Sequence, residues 1–253
     1  MTVIARVPRG SFAYWEKRFA PYPRLTDAVL PVHYVDCPDS VRILGFVRQP
    51  SQTLMIDLRQ TSDAIMGSFR ANTRNEIRRA EREAVQCRAA SAFDQFLALY
   101  EAMSTQKTLP PTPRGYLESL GKHRCVTEAI IDDKVVCSHV YVADRSVSRV
   151  RLIRSASLFR ESEYEERQKI ARANRLLHFR DILLFREQGF DLYDLGGYYP
   201  ATAPLHPELT RINEFKASFG GQLRHEANYL SAALHAYRVT HDLYRRARHL
   251  IDA

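Results

Sequence analysis

The sequence predicts an α/β fold of the α+β kind, a mixed sheet flanked by helices with a short N-terminal lobe before it. Two observations carry this. The first is three alternating strand patterns in a row, VTEAIID, KVVCSHVYVAD and SVSRVRLIRSAS, separated by tight turns at Asp132-Asp133-Lys134 and Asp144-Arg145-Ser146. Period-two alternation broken by turn residues is the mark of an antiparallel meander. The second is the order of elements after the meander: a long helical pattern from about Asn174 to Gln188, the short strand FDLYDLGG, the helix TRINEFKASF, the strand QLRHEANYL and the terminal helix ALHAYRVTHDLYRRARHLI. Gly189 supplies a stop for the long helix, because glycine tolerates the left-handed conformation found just past helix ends.

The elements before the meander are read in chain order. The first fifty residues are punctuated by prolines and give no clear pattern. VRILGFV and TLMIDL, separated by Gln49-Pro50-Ser51-Gln52, read as a hairpin. SDAIMGSF and TRNEIRRAEREAV read as helices, the second with Ile77, Ala80 and Ala84 on one face. A further helix from Phe93 to Met103 turns Phe93, Phe96, Leu97 and Tyr100 inward. Thr108 to Pro113 is a loop, since its prolines fix φ and remove donors. It is the expected boundary between an N-terminal lobe, 1–110, and a larger lobe, 111–253. Within the meander, Val135, Cys137, His139 and Tyr141 share one face, and Val136, Ser138, Val140 and Val142 the other.

Composition narrows the function classes. The net charge is +8, carried almost wholly by arginine, with six lysines in the chain. Such a surface suits a phosphate-bearing partner: a nucleotide, a CoA, a tRNA or an anionic membrane. No apolar run reaches the roughly 18 residues that span a bilayer, and no apolar segment comes after Arg6 and Arg9, so a cytoplasmic location is expected. Cys37, Cys87, Cys125 and Cys137 lie far apart and read as buried thiols. No metal motif, nucleophile elbow or Walker loop is present.

Three stretches, in order, resemble the Fem-type (FemABX-like) aminoacyl transferase branch of the GNAT acyltransferase superfamily. They are TLMIDLRQTSDAIMGSFRANTRNEIRRAEREAV (53–85), ANRLLHFRDILLFREQGFDLYDLGG (173–197) and RINEFKASFGG (211–221). The resemblance covers about a quarter of the chain. It implies a GNAT-like mixed sheet, with a reduced GNAT-like half in the N-terminal lobe. It also implies N-acyl transfer, from an aminoacyl-tRNA to an amine-bearing small-molecule acceptor, with no tightly bound cofactor. The usual CoA signature, Gln/Arg-x-x-Gly-x-Gly/Ala, is missing; RQKIARAN stands in its place. An acyl-CoA donor acting on an amino sugar or polysaccharide precursor is the second reading. A third is a basic RNA-binding or membrane-surface scaffold without catalysis, based on Arg238, Arg245, Arg246 and Arg248 of the terminal helix.

Site residues come from the resemblance and from local chemistry. The resemblance implies that Lys216 stabilises an oxyanion or a departing ribose oxygen, with Phe215 packed on the donor. Asp194 is either the acceptor's general base or a turn aspartate. Gly196 and Gly197 permit a close backbone approach, and Tyr198 and Tyr199 line the acceptor cleft. Asn174 is the expected N-cap of the long helix, making an anion site with Arg172 and Arg175. Arg151 and Arg154 are placed on opposite strand faces, one of them binding acceptor phosphate. His139 and His178 are either core histidines or donor-site residues.

Overall fold

The computed structural model describes residues 2–9, 12–38, 42–107, 111–160, 163–199 and 207–251. Their contacts divide the chain into two compact units: Met1–Gln52 with His225–Ala253, and Thr53–Arg224. The expected boundary is a different division. The helices on either side of the Thr108–Pro113 loop both lie in the second unit, and residues 108–110 fall outside the described ones.

In the first unit, β1 (Val3–Arg9) pairs antiparallel with β2 (Phe12–Arg18), and β2 pairs parallel with β3 (Val32–Pro38). β3 pairs antiparallel with the second half of β10 (Gln222–Ser231), which leads into α7 (Ala232–Ile251). Ala20, Val32, Tyr34, Cys37, Ala227 and Tyr229 form a small core. Three strands thus occupy the segment whose sequence shows no clear pattern. The side chains of Arg245, Arg246 and Arg248 lie outside the described residues.

The expected hairpin at residues 41–58 is instead one strand, β4 (Phe46–Asp57). The turn lies earlier, at Gly45, whose φ of +81° suits it to reversing the chain. Gln49-Pro50-Ser51-Gln52 holds no residue at positive φ and stays extended. Then come α1 (Ser62–Ser68), capped by the Thr61 hydroxyl accepting from Ala64 N–H at 3.2 Å, and α2 (Ala71–Arg82). α2 buries Ile77 and Ala80 as expected; Ala84 lies past its end, exposed, at φ +55°. β5 (Gln86–Ala90), α3 (Asp94–Lys107) and α4 (Arg114–Ser119) come next.

The meander is β6 (Arg124–Ile131), β7 (Lys134–Asp144) and β8 (Arg149–Ser157). It continues through α5 (Tyr164–Glu187), β9 (Leu192–Gly197) and α6 (Pro207–Ala217). Strand order in this unit is β4-β9-β8-β7-β6-β5, with β8 and β9 parallel and the other pairs antiparallel. This is the expected mixed sheet. α5 closes at Gly189, φ +80°, where Phe190 N–H reaches Phe185 carbonyl at 3.1 Å. Ile65, Phe69, Ile77, Leu176, Phe179, Ile182, Phe185, Tyr193 and Phe219 anchor the core, joining α1, α2, α5, β9 and the end of α6.

Two sequence expectations are corrected by these elements. α5 begins at Tyr164, so Asn174 lies in mid-helix and caps nothing; Glu163 takes the N-cap position. Arg151 and Arg154 do not lie on opposite faces. A bulge in β8 leaves Ile153 unpaired, so Arg151 pairs with Val142 and Arg154 with Val140, two residues of one face. Among the described residues no helix is long and apolar enough to cross a membrane.

Candidate active site

The site forms where β8 and β9 part. Their parallel register runs from Arg149↔Leu192 to Arg151↔Asp194 and ends just before the bulge on β8. On β9 the next residues are Leu195, Gly196 and Gly197. Gly196 sits at φ +80°, and a Cβ there would lie 2.9 Å from the Leu152 carbonyl oxygen. Any larger residue would collide with β8 at the point of divergence.

Asp194 lies under this edge with no exposed surface. Arg151 reaches its Oδ2 at 2.7 Å, and Arg149 donates to the same oxygen, through Nε at 3.0 Å. On its other oxygen it accepts from the Thr53 hydroxyl and from Gly196 N–H at 2.7 Å. Burial alone would raise its pKa, but Arg151 and Arg149 outweigh burial and hold the carboxyl well below the usual range. Both its oxygens are already taken by donors and neither is exposed, so neither can take a proton from an acceptor. The general-base role, one of the two expected of Asp194, is therefore corrected: it fixes the β9 turn and shares its one negative charge between two arginines. Arg151 is committed to this pair and to Thr53 (3.1 Å), while Arg154 contacts the Thr112 hydroxyl at 3.2 Å and the Ile153 carbonyl at 2.8 Å.

α6 brings Lys216 to the same edge. Its Nζ donates to the Gly197 carbonyl at 2.5 Å and would lie 3.8 Å from a Cβ on Gly196. The side chain is half-buried. Burial, then the nearby Arg151 charge, lower its pKa to about 8. The ammonium is thus charged at neutral pH but sits near its titration. Phe215, the preceding residue, is flanked by the Arg175 guanidinium 5.3 Å from its ring and the His178 ring at 5.5 Å. Tyr198 packs on the same core, and Tyr199 is tied through its backbone to the Asn213 carboxamide, at 3.1 and 2.7 Å. Residues 200–206 lie outside the described ones.

The remaining predicted residues go to the core beneath. His139, wholly buried, joins Asp181 through Nδ1 at 2.9 Å and the Asn174 carboxamide through Nε2 at 2.8 Å. These contacts occupy both His139 ring nitrogens and the Asn174 carboxamide oxygen. Tyr141, Tyr193 and Asp181, which sequence reasoning missed, complete a buried polar cluster with His178. The signal was there: Asn174, His178, Asp181 and Phe185 fall on one stripe of α5, and polar residues on a buried stripe require partners. Arg149 and Thr53, the further partners of Asp194, were also missed.

No protein-family model matches the chain, and no curated protein matches it. Among solved structures it is similar to FemX, with a TM-score of 0.63 at 11% identity over 94% of this chain and 85% of that one. It is similar to the C-terminal domain of a lysylphosphatidylglycerol synthetase from Agrobacterium fabrum, with a TM-score of 0.57 at 12% identity over 95% and 84%. L-PGS from Bacillus licheniformis gives 0.56 at 12% over 90% and 80%. From the meander through the crossover helix α5 to the parallel strand β9, and on in chain order to α6 and β10, the chain shares its fold with these three proteins.

Proposed function

We propose that this chain is an acyltransferase that moves an aminoacyl group from a charged tRNA to the amine of a small acceptor. The observation that carries the reading is Lys216: a half-buried ammonium of lowered pKa, held against the Gly197 carbonyl where β8 and β9 diverge. When an amine attacks the donor ester, the carbonyl oxygen gains negative charge, and a fixed cation in a partly dry site lowers the energy of that state. Phe215 and Arg175 offer a flat apolar and cationic surface beside it for the donor. Direct attack needs no covalent enzyme adduct, so the protein's work is positioning and charge stabilisation.

Two further features favour tRNA over acyl-CoA. The first turn of α5 carries Glu165 and Glu166 behind Glu163, and acidic residues there oppose a pyrophosphate at that helix end. The segment also lacks the glycines that would let backbone amides cradle one. The test supplies the chain with pooled aminoacyl-tRNA or with pooled acyl-CoA, each with methylamine as acceptor, and tracks loss of donor. The reading expects amide formation from aminoacyl-tRNA, with binding that weakens steeply as salt rises, because arginine–phosphate contacts release counterions. Turnover of acyl-CoA alone would contradict it in favour of the CoA-dependent reading.

A further inference from the structure

A hydrogen-bonded chain runs through the core of the second unit beneath the site. Tyr141 donates its hydroxyl proton to Asp181 Oδ2 at 2.6 Å. The Tyr141 and Tyr193 hydroxyls lie 2.7 Å apart, and Tyr193 hydroxyl lies 2.8 Å from His178 Nδ1. All four residues are at most 2% exposed.

His139 Nδ1 also lies 2.9 Å from Asp181 Oδ2 and 3.1 Å from the Tyr141 hydroxyl. A tyrosine hydroxyl has one proton to give, so the donation from Tyr141 to Asp181 sets the directions that follow from it. Tyr141 spends its proton on Asp181, so Tyr193 must donate to Tyr141. Tyr193 then has none left for His178, so His178 must donate through Nδ1–H. A neutral imidazole carrying its proton on Nδ1 has a bare lone pair on Nε2. Burial and Asp181 push both tyrosine pKa values well above the ordinary value, so both hydroxyls keep their protons. Nε2 has no hydrogen-bond partner among the described residues, and ring geometry turns it away from Tyr193. The groups around the ring are His139 of β7 at 4.3 Å, Phe215 and Phe219 of the α6 segment at 5.5 and 5.1 Å, and the Arg175 and Lys216 charges. Burial, then His139, Lys216 and Arg175, hold the ring's pKa well below its usual value, so it stays neutral at pH 7.

We infer that His178 Nε2 is the proton acceptor of the transfer site, with Tyr193, Tyr141 and Asp181 as positioning residues that fix its tautomer. The inference rests on the acyl-transfer reading. As the acceptor nitrogen bonds to the donor carbonyl carbon, its surplus proton passes to Nε2. When the ester C–O bond breaks, that proton passes to the departing oxygen, and His178 returns neutral. The weak basicity of the ring suits this step, since the nitrogen of the tetrahedral adduct is far more acidic than a free ammonium.

The test begins with the tautomer, which needs no substrate. Long-range proton–nitrogen correlation spectra of the nitrogen-15-labelled full chain should show His178 with its proton on Nδ1. Tyr193→Phe, which removes the accepting hydroxyl, should abolish that preference. In single-turnover transfer from pooled aminoacyl-tRNA to methylamine, His178→Phe should slow the step by about a hundredfold or more. Tyr193→Phe should slow it less and, once the rate is divided by the free-base fraction of methylamine, move the acid limb of the pH profile to lower pH, because the imidazolium loses its Nδ1–H partner; a packing defect would leave that limb in place. A wild-type His178 protonated on Nε2, or a His178→Phe protein that transfers at the wild-type rate, would overturn the inference and leave the Lys216 reading standing. Absence of transfer by the wild-type chain from either donor would overturn that reading instead, and the base role with it.

Discussion

Asp194 and Lys216 lie at one strand edge, and their pKa values are both lowered, for different reasons. For Asp194 two guanidinium groups outweigh burial; for Lys216 burial leads and Arg151 adds to it. The two consequences separate in pH. A carboxyl whose folded pKa is depressed stabilises the fold above its unfolded value, about 4, and that stability is lost as pH falls below it. Asp194→Asn keeps the shape but removes the negative charge that Arg149 and Arg151 share at this site. It should cost about 3 kcal/mol or more in a denaturant titration at pH 7, with a smaller gap between variant and parent near pH 3. Equal stability of variant and parent at pH 7 would show that the arginines find other partners. Much of this was legible in residue identity: Lys216, Gly196 and Gly197 meet at one place, as the ordered motifs imply. The role of Asp194 was not legible, because both arginines come from β8, and only the β8–β9 register brings them to it.

At the scale of elements, local patterns were readable and long-range pairing was not. The meander, its turns and α6 obey the periodicity of the sequence. Asn174 reads as a cap because asparagine caps well, yet its carboxamide is taken by His139 on another element, and IARA before it contains nothing that stops a helix. The first three strands escaped reading because β3 pairs with β10, from near the other end of the chain, so their support does not appear in local sequence. The β8 bulge is equally silent in sequence, yet it sets where β8 and β9 part. Gly196→Ala tests that junction. A methyl at φ +80°, 2.9 Å from the Leu152 carbonyl, must either strain the turn or push β8 away, at about 1–3 kcal/mol. A lower thermal midpoint with a disproportionate loss of transfer activity is expected. A variant with unchanged midpoint and unchanged rate would show that close contact at this edge is unnecessary.

For the whole molecule, the excess of eight positive charges gives a surface suited to a polyanionic partner, and the fold is shared with FemX and L-PGS. Charge alone fits a scaffold as well as an enzyme; Lys216 separates the two. Lys216→Met keeps the apolar stem and removes the charge, so the fold should hold while the oxyanion loses its cation. The most direct measurement is single-turnover transfer from pooled aminoacyl-tRNA to methylamine, taken across pH beside a thermal melt. Divided by the fraction of methylamine present as free base, the wild-type rate should fall as pH rises through about 8, where Lys216 loses its proton. The Lys216→Met protein should melt with the wild type, turn over about a hundredfold more slowly, which is about 3 kcal/mol, and lose that alkaline limb. A Lys216→Met protein that melts normally and transfers at the wild-type rate would contradict the account.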